Sequence, residues 1–361
     1  DSGYLSNIAV DAILHVAQKV EDIYRVDLDD IMVEKKPGES IGDTKLIKGI
    51  VLDKEVVHPS MPKRVEKAKI ALLDAALEVE KTEFDAKINI ETPDQMEAFL
   101  HEEENMLKEM VEKVAATEAN VVVCQKGIDD MVQHFLARKG ILAVRRAKKS
   151  DMEKLAKATG GKVVTNLQDM TKKDLGYAAL VEERKIGDDK MTFIEGCKNP
   201  QSVAILIRGG TERIVDEAER SIHDALCVVR NVVEDGKIVA GGGSIEAEVA
   251  KQLRDFAVKV GGREQLGVRC FAEAVESIPM TLALNAGLDP IDIMVELRMK
   301  HQETANKWFG VSVHDGKVAD MLKERVVEPL RVKQQAIKSS TEVACMILRI
   351  DDVVSSKGTR G

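Results

Sequence analysis

Between Asn120 and Val164, short apolar runs alternate with helix-patterned stretches, and no other feature of the chain limits its fold as strongly. Val121-Val122-Val123-Cys124 is a short apolar strand, and Ile128 to Arg138 follows as a helix ended by Gly140. Ile141 to Val144 is a second strand. A helix begins at Ser150, with Glu153 placed to complete a capping box, and Gly160-Gly161 ends it before a third strand at Lys162-Val163-Val164. Strands spaced this way by helices pair in parallel, with the helices as crossovers.

The flanks are different. Leu5 to Glu21 has a helical period, with Leu5, Ile8, Ala9, Ala12, Ile13, Val16 and Val20 on one face. Ile31 to Gly38 predicts a strand closed by a Pro-Gly turn, and Gly49 to Pro62 reads as extended. Lys69 to Leu77 fits helix or buried strand equally. The clearest helix starts at Thr92, where Thr92 caps, Pro93 takes the first helical position and Gln95 completes a capping box. Met96, Phe99, Leu100, Leu107, Met110, Val111 and Val114 then form one stripe. Hairpin-like strands follow at Ala178 to Lys185 and Lys190 to Glu195, then a strand at Ser202 to Ile207. Beyond Gly209-Gly210, Thr211 caps a helix to about Glu234, and further helices start near Ser244, Arg263, Pro290 and Pro329, with a closing strand near Ile347. The pattern is helical at both ends with an α/β insert between them.

A chain of 361 residues is expected to form two or three domains. Aromatics are only 3%, so the cores must be built from Val, Ile, Leu, Ala and Met. The net charge of -9 argues against nucleic acid as the main partner, because phosphate neutralisation needs clustered Lys and Arg. Asp94 to Glu118 contributes eight acids against two lysines, the pattern of a solvated helix face. No run approaches the roughly 18 apolar residues of a membrane span. The chain opens on Asp1-Ser2-Gly3 without a charged-then-apolar leader, so a cytoplasmic location is expected. Cys124, Cys197, Cys227, Cys270 and Cys345 form no C-x-x-C pair and sit in apolar runs, as buried free thiols would. The seven histidines show no metal-binding spacing, and no metal ligands are assigned.

The strongest chemical signal is Val239-Ala240-Gly241-Gly242-Gly243-Ser244-Ile245-Glu246. Three glycines before a helix let a backbone approach a ligand closely, and the helix start presents amide groups to an anion or polar ring. A plain tight turn accounts for the same residues. The P-loop and G-x-G-x-x-G patterns both fail, the second because Glu246 stands where its third glycine would be. Asp224 has the largely apolar neighbours Ile222, Ala225, Leu226 and Val228, so it is either a partly desolvated acid able to orient a water or an ordinary surface acid.

The run Val239 to Glu246 resembles the signature of group II chaperonins, the family of the archaeal thermosome and its eukaryotic cytosolic homologues. Similar stretches extend along the whole chain. They include Gly38 to Thr44 with Asp53-Lys54-Glu55, Gln125 to Asp130, Ala143-Val144-Arg145-Arg146 through Lys157 to Gly160, and Glu195-Gly196-Cys197. Ile207 to Glu212, Glu328 to Lys333 and Arg349 to Val353 complete the series.

The resemblance implies a multi-domain α+β and α/β subunit. Residues 1–48 would be the outgoing intermediate domain, and residues 49–200 the apical substrate-binding domain, with a helical protrusion over about 84–116. Residues 201–238 would return through the intermediate domain, and residues 239–361 would be the C-terminal half of a mainly helical equatorial domain. It implies ATP or ADP with Mg2+ as cofactor, with Gly242 contacting the nucleotide and Gly241 and Gly243 shaping the turn. Glu328 would accept the ribose hydroxyls, Ser312 and Val313 would line the base pocket, and Asp224 would position the attacking water. Ser312 departs from the Asn or Asp usual at its position.

The family's G-D-G-T-T phosphate loop and upstream magnesium aspartate occur nowhere in the sequence. The expectation is therefore a chain lacking the N-terminal half of the equatorial domain and inactive in hydrolysis alone, with Ala257, Val268, Phe271 and Ile278 left exposed. Unfolded protein clients and homologous subunits in a double ring are the implied partners. The leading function is ATP-dependent folding in a lidded chamber, and the alternative is ATP-independent holding of clients.

Overall fold

Helix α1 (Ser2–Val16) buries Ile8, Ala9, Ala12, Ile13 and Val16, the stripe expected from the helical period. It stops at Val16 instead of running to Glu21. Strands β1 (Gln18–Val20) and β2 (Ile23–Arg25) form an antiparallel hairpin there, and Glu21 takes a left-handed φ of 58°, which a right-handed helix cannot absorb. The computed structural model describes residues 2–79, 92–199, 202–303 and 306–352. By their internal contacts they fall into two units, Asp1–Val233 and Glu234–Gly361.

The first unit continues with β3 (Ile31–Pro37), β4 (Lys45–Ile47), β5 (Gly49–Leu52) and β6 (Arg64–Leu73). The ambiguous stretch from Lys69 thus begins as strand, because its apolar residues bond to neighbours on both sides. Helix α2 (Pro93–Ala116) has the cap read from the sequence: Thr92 and Gln95 exchange both bonds of the capping box. Residues 84–91 of the expected protrusion lie outside the described residues. Then come β7 (Val121–Cys124), α3 (Asp130–Arg138), β8 (Leu142–Val144), α4 (Lys149–Thr159) and β9 (Val163–Val164). Pairing of β6 with β7, β7 with β8 and β6 with β9 is parallel; the spacing predicts parallel strands for β7, β8 and β9, and β6 enters between β7 and β9 as the partner of both. Gly160 ends α4 in left-handed backbone. The capping box expected at Ser150 and Glu153 does not form. The N-cap is Lys148 without a side-chain bond, and the Ser150 hydroxyl donates to Asp151.

Strands β10 (Gly176–Ile186) and β11 (Asp189–Cys197) form the expected hairpin and extend the sheet to the order β5-β11-β10-β6-β7-β8, with β9 also on β6. Strand β12 (Val203–Gly209) runs parallel to β3 and antiparallel to β4 in a separate three-stranded sheet, and α5 (Glu212–Asp235) follows. All of β12 is buried, and its alternation separates two cores. Val203, Ile205 and Ile207 pack with α1 and with Val215, Ile222 and Leu226 of α5. Ala204 and Leu206 join the larger core around β6, β7 and β8.

The second unit contains β13 (Ile238–Ala240), α6 (Ser244–Val260), α7 (Glu264–Asn285) and α8 (Pro290–His301). The antiparallel pair β14 (Phe309–Ser312) and β15 (Lys317–Asp320) follows, then β16 (Val327–Pro329), which pairs with β13, and α9 (Leu330–Leu348). The strand expected near Ile347 is instead the end of α9; a strand needs a neighbour to share its ladder, and Ile347 is exposed. Val268 is half-buried, while Phe271 and Ile278 are exposed, as expected. Ala257 is not: it is fully buried. Among the cysteines only Cys124 is fully buried, and Cys270 and Cys345 are exposed, because their apolar runs lie on helices with open faces.

Candidate functional site

The turn Gly241-Gly242-Gly243 joins β13 to α6, and each glycine is required by something close to it. Gly242 and Gly243 have φ of 62° and 72°, in the left-handed region. A Cβ on Gly243 would stand 2.5 Å from Pro279 Cβ of α7, and one on Gly242 would stand 2.6 Å from Met321 Sδ. One on Gly241 would lie 2.9 Å from Val326 Cγ1 and 3.1 Å from Glu328 Oε1. The Val311 amide donates to the Gly242 carbonyl at 2.8 Å, so β14 closes directly on the turn. The protein's own packing therefore fills the Cβ side of all three glycines. Of the three, only Gly242 is partly open to solvent. Helix α6 starts with Gly243 as its N-cap and no side-chain cap.

Beside this turn stands a charged triad. Val239 pairs with Glu328 across β13 and β16, which brings the Glu328 carboxylate over Gly241. Lys333, in the first turn of α9, lies 2.7 Å from Glu246 Oε1 and 2.8 Å from Glu328 Oε2. Glu246 is buried in the first turn of α6, and its Oε2 has no hydrogen-bond partner. Burial works against the Lys333 charge, but the hydrogen bonds to Glu246 and Glu328 more than offset it, and its pKa lies above the ordinary lysine value.

Of the residues expected from sequence, Gly241, Gly242, Gly243, Ser312 and Glu328 gather around this one turn. Ser312 is buried at the end of β14, and its hydroxyl accepts from the Asp315 amide at 3.4 Å. Val313, the next residue, is half exposed. Asp224 belongs to the first unit, on α5, and it is exposed rather than desolvated: its apolar neighbours Ile222 and Leu226 point into the core and leave Asp224 on the other side of the helix. Sequence reasoning missed Lys333 and the role of Glu246. The available signal was an acid flanked by Ile245 and Ala247 in an apolar first turn, a place where a carboxylate needs a cation.

The acids here do not suit Mg2+. Glu246 and Glu328 share the Lys333 ammonium, which repels a divalent ion. Among the described residues no group of three or more His, Cys, Asp or Glu is arranged to hold a metal.

In the first unit, α2 divides along its length. Leu107, Val111 and Val114 are buried, while Met96, Phe99 and Leu100 near its start are each 43–52% exposed. A groove of about 460 Å³ beside α2 and α3 is lined by Lys108, Val111, Glu112, Phe135, Arg138 and Lys139.

An α/β unit with an acid-rich amphipathic helix, together with a mainly helical unit built on a glycine turn, is what the chaperonin resemblance implies. The match to known proteins agrees: residues 1–358 match the TCP-1/cpn60 chaperonin family, and the chain belongs to it. It is 60% identical to thermosome subunit beta of Sulfurisphaera tokodaii over 98% of its length, and 60% identical to thermosome subunit alpha of Archaeoglobus fulgidus, also over 98%. These matches span 64% and 65% of the two relatives. A solved open-state monomer of a group II chaperonin from Methanococcoides burtonii superposes with a TM-score of 0.74 at 47% identity, over 96% of this chain and 80% of that one. The fold is thus that of a group II chaperonin subunit, with equatorial, intermediate and apical domains. Among the described residues no helix is long and apolar enough to cross a membrane.

Proposed function

We propose that the chain works as part of an ATP-dependent chaperonin that binds unfolded proteins and folds them with homologous subunits in a ring, in the cytoplasm. Residues 49–200 are the client-binding apical part, 1–48 and 201–238 the intermediate part, and 239–361 equatorial. The adenosine part of ATP or ADP lies on the turn of Gly241, Gly242 and Gly243, with Ser312 and Val313 at the base and Glu328 accepting the ribose hydroxyls. Asp224 positions water for hydrolysis. No step is assigned to Mg2+, which the acids of this turn do not fit.

One observation carries the nucleotide half of the proposal: a partly exposed carboxylate, Glu328, is held over a glycine turn that its own strand pairing brings close. A carboxylate is a good acceptor for a vicinal diol, and a helix start with no side-chain cap accommodates polar ligand atoms. The exposed start of the α2 stripe supports client binding, since an amphipathic helix captures apolar segments through such a face.

Calorimetric titration with ATP tests the proposal. The chain should bind, and Glu328→Ala should weaken binding about tenfold or more, the loss expected for a charged hydrogen bond. Equal affinity in the variant would remove Glu328 from the site. A chain that suppresses client aggregation but never responds to ATP would leave only ATP-independent holding.

A further inference from the structure

The Lys333 ammonium is placed where a helix gains nothing from it. It sits in the first turn of α9, at the positive end of the helix dipole, where a cation is unfavourable. It is also largely buried, with 14% of its side chain exposed. Two contacts account for its position: one to Glu246 Oε1 at 2.7 Å and one to Glu328 Oε2 at 2.8 Å. Glu246 is almost completely buried and its Oε2 has no hydrogen-bond partner among the described residues, so its one ion pair anchors Lys333. Lys333 in turn occupies one oxygen of Glu328, and the other oxygen, Oε1, is the one that lies 3.1 Å from the Cβ position of Gly241. One ammonium thus faces two carboxylates, and of the two Glu328 is the partly exposed one.

We propose that Lys333 is a positioning residue that fixes the Glu328 carboxylate so that Oε1 faces the glycine turn, and thereby sets the preference for an intact ribose. This rests on the nucleotide reading above and extends it from a contact to a device for selecting the sugar. Without the ammonium, Glu328 is free to rotate and is repelled by the buried Glu246 carboxylate, so it accepts from a sugar hydroxyl less consistently. A fixed, partly desolvated acceptor discriminates against a ligand that lacks the hydroxyl, because the acceptor is then left without its partner. A mobile acceptor rehydrates and discriminates little.

The test measures a ratio of affinities: ATP against 2′,3′-dideoxy-ATP, titrated into the parent chain and into Lys333→Met, Lys333→Gln and Lys333→Arg, each checked for folding by circular dichroism. The parent should prefer ATP by about tenfold or more, the discrimination that a charged hydrogen bond supplies. Lys333→Met should bring the ratio close to one, Lys333→Gln should reduce it, and Lys333→Arg should restore most of it. Lys333→Gln keeps a donor, so it carries the test if the methionine variant does not fold. An unchanged ratio in a folded Met or Gln variant overturns the proposal, as does an equal loss of both ligands, which marks a purely structural lysine. A parent that binds ATP with no sugar preference overturns this inference alone. A parent that binds neither nucleotide overturns the nucleotide reading as well.

Discussion

In the first unit every residue of β5, β7, β8 and β12 is buried, and helices cover strands whose apolar runs are nearly continuous. In the second, the described apolar core comprises Ala247, Ala283, Ile293, Met294, Leu297, Val311 and Val318, while Val258, Leu266, Ile291 and Met299 are each more than 60% exposed. Charged groups occupy the positions around that small core. Glu276 is buried between Arg254 and Arg298, His301 lies between Glu248 and the Phe309 carbonyl, and Lys333 lies between two acids. The two arrangements fail differently. Apolar burial is spread over many residues and scales with area. A buried charge network adds little net stability, but it becomes costly when one member is lost, and glycine turns tolerate no added atom. The first unit should therefore respond to volume, and the second to single atoms.

The sharpest test of that difference is Gly243→Val. Left-handed backbone costs a side chain about 1–3 kcal/mol, and overpacking against Pro279 a similar amount again. The variant should show a collapse in the second unit's denaturant midpoint while the first unit unfolds as before. If a valine there cost no more than a surface substitution, the turn would not be holding α6 against α7, and the comparison would break.

Leu142→Ala comes next. Leu142 is fully buried in β8, and its truncation should cost about 3 kcal/mol, read as a lower midpoint with an unchanged denaturant slope. The matching change in the second unit, Val258→Ala, should stay within about 0.5 kcal/mol, since Val258 is exposed.

The same contrast explains what the sequence made legible. Local rules worked where a signal and its consequence lie within one turn. Thr92, Pro93 and Gln95 gave the start of α2, Gly160 gave the end of α4, and strand spacing gave the parallel pairing of β7 with β8. They failed where a competing local conformation won. Val20 continues the helical stripe of α1, but left-handed Glu21 turns the chain into a hairpin. Helix α4 starts one residue before Ser150, so that serine is already inside it and cannot cap it. In the candidate site, the glycine run and Glu328 were legible as motifs. Lys333 was not, because its two partners lie on β16 and in α6, and only tertiary pairing brings them together.

Glu34 of β3 interrupts the apolar pattern of the first unit and adds a pH dependence of its own between about pH 4.5 and 7. Burial raises its pKa to about 7, and Asp151 and Asp53 add to the rise while Lys148 and Lys36 oppose it. Below about pH 4.5 the acid is protonated in both folded and unfolded chains. Between that value and about 7 only the unfolded chain has ionised, so stability falls as pH rises through the window and levels off above it. Thermal unfolding of the first unit should decline across this range, and Glu34→Gln should flatten the decline. A slope that persists in the glutamine variant would assign the effect to another group.

The smallest effect on stability is expected at the start of α2, where the first unit departs from its own rule. Leu100 belongs to the same stripe as Val111, yet it is 52% exposed where Val111 is 2%. Leu100→Ser should change stability by no more than about 0.5 kcal/mol, because little apolar area is buried there. Val111→Ser should cost several times as much, since it removes packing and buries a hydroxyl. Client capture should show the reverse order. Suppression of aggregation of an unfolded protein should weaken in Leu100→Ser and persist in folded Val111→Ser. If both variants capture clients equally well, the exposed half of the stripe is an ordinary solvated surface, and the apolar residues of α2 serve only to pack it. If capture follows exposure rather than stability, one helix has been divided between two functions, with its buried half fixing the position from which its exposed half meets a partner.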